Sequence, residues 1–280
     1  KNAADLKQSA GTVWTGFVPR PDEKWTPALL PAEPWSVYRE LTASPHFEVM
    51  LDWGETYLGA VTGNNDFFAL SRPQVRELGL RQLDLERISP PGSRHLRGPS
   101  FTNAGWELLA AGGHPCYLFA PEDKPSAAGM RFIEKGVRAG VHKAYKCRVR
   151  TPWWKVPLVS RPDFYFSYMK YEYPRLVRNA AGAHVLNSLY GIRLHAQRRR
   201  VGLDALPFAS LNSITLLGAE IVGRSYGGGM LKHEPKEADL LPMPSIEVLG
   251  EAEPRLKRLH EKISVLLREP EIAPAIDLVD

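Results

Sequence analysis

The sequence predicts an α+β fold, a mixed curved sheet with packed helices, on three observations. Short apolar runs bounded by turn residues read as strands, and capped segments with a helical apolar stripe lie between them. The third is bulk: 280 residues, 44% hydrophobic and 10% aromatic, enough to bury a sizeable core as one large domain or two smaller ones. No apolar run approaches the ~20 residues needed to cross a bilayer, and the start, KNAADLKQSAGTVW, lacks the apolar centre of a signal peptide.

Residues 1–45 are rich in Pro and Trp without a helical or alternating period, and read as a connector or wrapping arm. Residues 57–62 read as a buried strand. Gly63, Asn64, Asn65 and Asp66 then make a tight turn from residue types that tolerate left-handed angles, and 67–70 resume as strand. Ser71 and Pro73 open a short helix through Leu78, with the proline in the first turn, where its missing N–H is harmless. Thr102 caps a helix to Ala111 that ends at Gly112 and Gly113. Residues 116–119 form a strand. Residues 207–222 read as one helix with Leu211, Ile214, Leu217 and Ile221 on its buried stripe, and 254–267 as another, with Leu256, Leu259, Ile263, Leu266 and Leu267 facing inward.

The two cysteines, Cys116 and Cys147, have no CxxC spacing and no His pair beside them, which points to a reducing, cytoplasmic setting. A disulfide between them is also compatible with the sequence. His114 beside Cys116 supplies too few ligands for a structural metal. No Ser/His/Asp or Cys/His set has supporting context.

Charge is the sharper signal. The net charge is only +5, yet residues 131–200 hold 16 Lys and Arg against 3 Asp and Glu, together with 11 of the 27 aromatics. Cations for phosphates and aromatics for sugars and bases are the makings of a nucleic-acid surface. A solvated basic face over an aromatic core is the plainer alternative. Residues 145–150 alternate, so a strand there would line up Lys146, Arg148 and Arg150 on one face at ~6.7 Å intervals, with Lys155 following the paired Trp153 and Trp154.

Two further runs carry a resemblance. GAVTGNNDFFAL begins at Gly59, and GRSYGGGMLKHEPKEADLLPMP begins at Gly223, about 160 residues on. Between them lie FTNAGWELLAAGG, FIEKGVRAGVHKAYKCRVRTPWWKVP, the surroundings of Asn179, and LNSIT. In that order, over roughly residues 47–244, they make the chain similar to the C-terminal target-recognition region of adenine-specific (N6) DNA methyltransferases of the type II, Eco57I-like and TaqI-like kind. The family's catalytic half carries a Gly-containing cofactor loop and an Asn/Asp-Pro-Pro-aromatic tetrapeptide that holds an extruded adenine. Neither is present in this sequence. Ser89-Pro90-Pro91-Gly92 comes nearest and lacks both the amide or acid and the aromatic.

The resemblance implies a target-recognition-domain-like fold over residues 46–250, with 1–45 as the arm and 251–280 as a packing helix and tail. It implies double-stranded DNA as partner, an N-terminal methyltransferase domain, joined or separate, that uses S-adenosylmethionine, no cofactor in this chain, and no membrane. The chain begins at Lys1, so a piece of a longer protein is expected. The candidate DNA-binding residues are Asn64, Asn65, Lys146, Arg148, Arg150, Lys155, Asn179, Arg224, Tyr226 and Gly228, the last three in a loop expected after residue 222. Turn chemistry alone also accounts for Asn64 and Asn65, a helix cap for Asn179, and a carboxylate partner for Arg224. A free-standing RNA or single-strand binder, favoured by exposed aromatics at 164–173, and an enzyme with dispersed active residues remain open.

Overall fold

The protein is described here by a computed structural model covering residues 24, 26–269 and 271–280. In chain order its elements are α1 (Ala32–Thr42), β1 (Phe47–Val49), α2 (Met50–Trp53), β2 (Gly54–Leu58), α3 (Asn65–Phe68), β3 (Ala69–Leu70), α4 (Arg72–Glu77), β4 (Leu85–Arg87), β5 (Ser100–Phe101), α5 (Asn103–Ala111), β6 (Tyr117–Phe119), α6 (Ala127–Arg138), α7 (Tyr145–Arg148), β7 (Phe164–Phe166), β8 (Met169–Lys170), β9 (Leu176–Asn179), β10 (Tyr190–Leu194), α8 (Arg199–Ala209), α9 (Ser213–Val222), β11 (Arg224–Tyr226), β12 (Met230–Lys232), α10 (Pro235–Ala238), β13 (Pro242–Pro244), α11 (Ile246–Leu266) and α12 (Ala273–Val279), with short 3-10 turns between some of them. The fold is α+β. Instead of one sheet there are several small ones, distributed over two compact units.

The central unit comprises Thr56–Ser167 and Arg175–Leu194. Its five-stranded sheet runs β2-β10-β7-β9-β5 and is mixed, because β5 pairs parallel to β9 while β7 is antiparallel to both β9 and β10. A three-stranded antiparallel sheet, β3-β6-β4, carries α6 on a core of Phe68, Leu118, Phe119, Phe132 and Ile133. The start of α6 is pinned twice. Ser126 Oγ accepts from Gly129 N–H and donates to buried Asp84, which also accepts from the Ser126 amide (2.8 Å). Gly129 is needed there, because a Cβ would lie 2.6 Å from Asp84 Oδ1.

The other unit comprises the described residues up to Glu55, Tyr168–Pro174 and His195–Asp280. Here α11 lies along α8, burying Leu249, Leu256 and Ile263, and His260 packs on Phe208 at 4.8 Å. Arg198 grips Glu48 through both Nη atoms (2.7 and 3.0 Å) and sits over the Trp53 ring, whose indole N–H donates to Pro244 O. Antiparallel pairs join β1 to β13 and β11 to β12, with β8 on the far edge of β12.

Several local expectations hold. Ser71 caps α4 in a capping box with Gln74, Thr102 caps α5 through Gly105 N–H, and Gly113 takes φ +82 just past its end. Others are corrected. Residues 145–150 are a single helical turn and its exit, and the two side chains that turn to the protein, Cys147 and Arg150, stand three apart, a helical and not a strand spacing. The expected row of cations therefore does not form. Residues 65–68 are the one-turn helix α3, with strand only from Ala69. The single helix over 207–222 is two: α8 contains Pro207, the chain breaks after Ala209, and Asn212 restarts it by accepting from Thr215 N–H (2.8 Å). Thr215, Gly218, Ala219 and Ile221 are the buried residues of α9, whereas Ile214 and Leu217 are half-buried.

Within 1–45, residues 1–23 and 25 lie outside the described residues, but 32–42 form α1, with Pro34 tolerated in its first turn. The 250/251 boundary falls inside α11. Both cysteines are free and buried, and burial pushes the Cys116 thiol up to about 11. Among the described residues no single helix is long and apolar enough to cross a membrane.

Gly59 marks a close approach of backbones. Ala60 bridges Leu186, donating to Val185 O (2.8 Å) and accepting from Asn187 N–H (3.1 Å), and a Cβ on Gly59 would overlap the Leu186 carbonyl. Gly59→Ala is expected to destabilise the protein by about 1–3 kcal/mol. Gly98→Ala, where an added Cβ meets nothing, should stay within about 0.5 kcal/mol. Urea unfolding of both variants checks the pair.

Candidate nucleic-acid interface

In the central unit the first run folds into a loop held by its own side chains. Thr62 Oγ1 donates to Asn65 Oδ1 (2.6 Å) and accepts from Asn64 N–H (3.1 Å), while Asn64 Oδ1 caps α3 through Phe67 N–H (3.1 Å). Gly63, at φ +87, makes the bend. Phe67 stacks on Phe132 of α6 (4.3 Å, 9°), with Gly136 leaving the space that the Phe67 and Trp153 rings fill. Asn64 and Asn65 thus use a side-chain oxygen each to shape the loop.

Arg150 is the strongest tie. Nη1 donates to Thr62 O (2.7 Å) and Nη2 to Val61 O. Cys147 Sγ lies against the same Thr62 carbonyl (3.7 Å). Burial lowers the Arg150 pKa and raises that of Cys147. Arg150 therefore faces the protein, and the loop after Gly59 and the turn over 145–150 are one structural piece.

That turn is outwardly basic. Lys146 and Arg148 are exposed, flanking the 64% exposed Tyr145 ring at 5.7 and 5.9 Å, and Val149 is 61% exposed. Lys143 and Lys155 are exposed nearby in sequence. Arg131, Lys135 and Arg138 are exposed on α6 at i, i+4 and i+7, which places them within about 60° of one another around the helix. Seven exposed cations thus fall between 131 and 155, against one carboxylate, Glu134. The three on α6 lie outside the residues expected from sequence, since no helix is expected over 127–138; their i, i+4, i+7 spacing is the signal that points to them.

Asn179 is internal. Its Oδ1 accepts from Tyr165 Oη (2.8 Å) and Ala183 N–H, and its Nδ2 donates to Pro162 O and Ala183 O (both 2.9 Å). Phe164, Tyr165 and Phe166 are core, none more than 2% exposed, so these three are unavailable for stacking on bases. Tyr171 is 71% exposed.

In the other unit the glycine-rich run is a hairpin, β11 and β12 joined by Gly227–Gly229, where a loop was expected. Arg224 pairs Lys232 and Tyr226 pairs Met230. Because side chains alternate, these four share one face while Leu231, 4% exposed, turns inward. Arg224 Nε donates to Glu237 Oε1 (2.7 Å), and Glu237 also accepts from Lys24 Nζ (2.9 Å) and Glu234 N–H (2.9 Å). Burial would raise the Glu237 carboxyl, but these donors outweigh it and hold the group down at about 2. Gly228 and Gly229 have φ of +78 and +81, which favours glycine; Gly227 has no such constraint, and a Cβ at any of the three would meet nothing within 4 Å. Glu237 was not legible as the Arg224 partner, since Pro235 starts the short helix that positions it 13 residues away.

Residues 22–280 match the family described as "Type II methyltransferase M.Eco57I, C-terminal domain". The chain is 22% identical over 215 residues to "Type II methyltransferase M.AccI" of Acinetobacter calcoaceticus, covering 75% of this chain and 39% of that protein. It is 32% identical over 110 residues to "Type II methyltransferase M.XamI" of Xanthomonas campestris pv. amaranthicola, covering 39% of this chain and 20% of that protein. The chain spans well under half the length of either relative.

Arg150→Ala should lower stability by about 1.5–3 kcal/mol, since it leaves two loop carbonyls without a charged donor, as read by urea unfolding. Glu237 gives a pH dependence. Its folded pKa is depressed below the ordinary 4.5, so its contribution is fully present above 4.5 and is lost as pH falls toward 2. The stability difference between the native chain and Glu237→Gln should accordingly be constant from pH 5 to 7 and shrink below 4.5.

Proposed function

Because the chain belongs to the M.Eco57I C-terminal domain family of type II methyltransferases, we propose that it reads the target sequence in double-stranded DNA for an S-adenosylmethionine-dependent adenine-N6 methyltransferase of a restriction-modification system. The match over residues 22–280 carries this reading, since it takes in both motif runs and the basic turn between them. The exposed cations at 131–155 supply the physical means: they grip phosphates, which fixes register on the duplex without reading sequence. Lys146, Arg148 and Lys155 act there, with Arg131, Lys135 and Arg138 beside them in the chain. Arg150 holds the loop that contains Asn64 and Asn65. Arg224, Tyr226 and the open glycine turn at Gly228 form the part that approaches the bases.

Methyl transfer belongs to an N-terminal methyltransferase domain, joined or separate, working in the cytoplasm on an adenine extruded from the duplex. The residues at 89–92 do not fit that role. Ser89 is buried, with its Oγ 2.8 Å from His95 Nε2, and no carboxamide or carboxylate stands among the four.

Binding of the purified chain to random duplex DNA, single strands and RNA across a salt series tests the reading. Salt-sensitive binding that favours duplex, with an enriched sequence among retained duplexes, is expected. Lys146→Ala and Arg148→Ala should each weaken binding on all duplexes alike and reduce the log–log salt slope by about 0.9. Preference for single strands or RNA, or an unchanged slope in both variants, overturns it.

A further inference from the structure

Resting on that reading, we infer that Glu237 is a positioning residue that presents Arg224 to a guanine, so that the target contains a G·C pair read by this arginine from the major groove. A guanidinium offers two paired edges, Nε with one Nη, and the two Nη atoms together. Arg150 and Arg198 each turn the double-Nη edge onto the chain itself, toward the Val61 and Thr62 carbonyls and toward Glu48. Arg224 does the reverse: only Nε bonds, to Glu237, and among the described residues neither Nη has a partner. The edge left outward is the fork that matches guanine O6 and N7.

The anchor suits the task. The Glu237 side chain is 12% exposed and held by three donors, whereas that of Arg224 is 51% exposed. A fixed acceptor thus limits the rotation of a solvent-facing guanidinium, which lowers the entropy lost on forming a bidentate contact. The setting favours bases over phosphate. All three residues of β11 are exposed. The sheet partner β8 reaches only Leu231 and Lys232 of β12, so the hairpin from Tyr226 to Met230 continues beyond it as two strands. A two-stranded ribbon fits a major groove about 12 Å wide. With no Cβ at residues 227–229 and nothing within 4 Å of where one would be, a DNA backbone has room to approach the tip.

The test uses the full chain and the duplex recovered by selection, with each guanine replaced in turn by 7-deazaguanine, which lacks the N7 acceptor. Replacement at one guanine should weaken native binding, and Arg224→Ala should abolish that sensitivity while leaving sensitivity at other positions intact. Discrimination against other bases at that position should fall roughly 5- to 150-fold, the span of one bidentate contact. Arg224→Lys, which keeps the charge without the fork, should lose the discrimination too. Glu237→Gln and Glu237→Ala should reduce the same sensitivity, and neither should add to the loss in Arg224→Ala; a purely structural defect would weaken native and deaza duplexes alike. If duplex binding is salt-sensitive but no guanine couples to Arg224, or if Arg224→Lys discriminates like the native chain, this inference fails and the DNA-binding reading stands. Absence of duplex binding removes both.

Discussion

The carbonyls of Val61 and Thr62 leave the bridge at Ala60 and lie outside any strand, so they depend on a donor from elsewhere in the chain. Arg150 supplies both bonds from 88 and 89 residues away. Much of the central unit's exposed basic surface is organised by this pairing. It draws the turn over 145–148 against the loop at Gly63, where Cys147 and the Lys146 Cβ come within 3.1 Å of a Cβ built on that glycine. With the backbone so fixed, Lys146 and Arg148 face outward around Tyr145. An arginine that reads as a phosphate ligand by composition is a half-buried strut, and its sequence neighbours provide the exposed charge.

The same division runs through the other motif residues. Gly59 is demanded by the Leu186 backbone and Asn179 by four bonds to Tyr165, Pro162 and Ala183, so both preserve the fold. Lys146, Arg148, Arg224 and Gly227 have no comparable internal demand on their outer atoms, in keeping with the DNA contacts proposed for them. A family signature that mixes both kinds of residue marks the architecture together with the proposed binding surface.

What was legible in the sequence follows from the range of the interactions involved. Caps at Ser71 and Thr102 are made with backbone three residues away and were read correctly. The strand expected at 145–150 failed because six residues are too few to separate a period of 2 from one of 3.6, and its two inward side chains, Cys147 and Arg150, stand three apart. Pro207 pointed to a helix start, yet it sits inside α8, and the true restart is the Asn212 cap. α1 was hidden by the prolines and tryptophans around it. The resemblance was legible because two runs in order are specific. The Arg150 and Glu237 contacts were not, since nothing in either residue's neighbourhood names its partner.

On the proposed function, the turn at 143–149 and the hairpin at 224–232 both contact DNA, while the aromatic strand at 164–166 is core. Backbone hydrogen exchange of the chain, free and saturated with its selected duplex, measures this most directly. Slower exchange on DNA binding in both segments, with no change at 164–166, is the predicted result. Protection confined to other segments, or equal protection with an unrelated RNA, would contradict it.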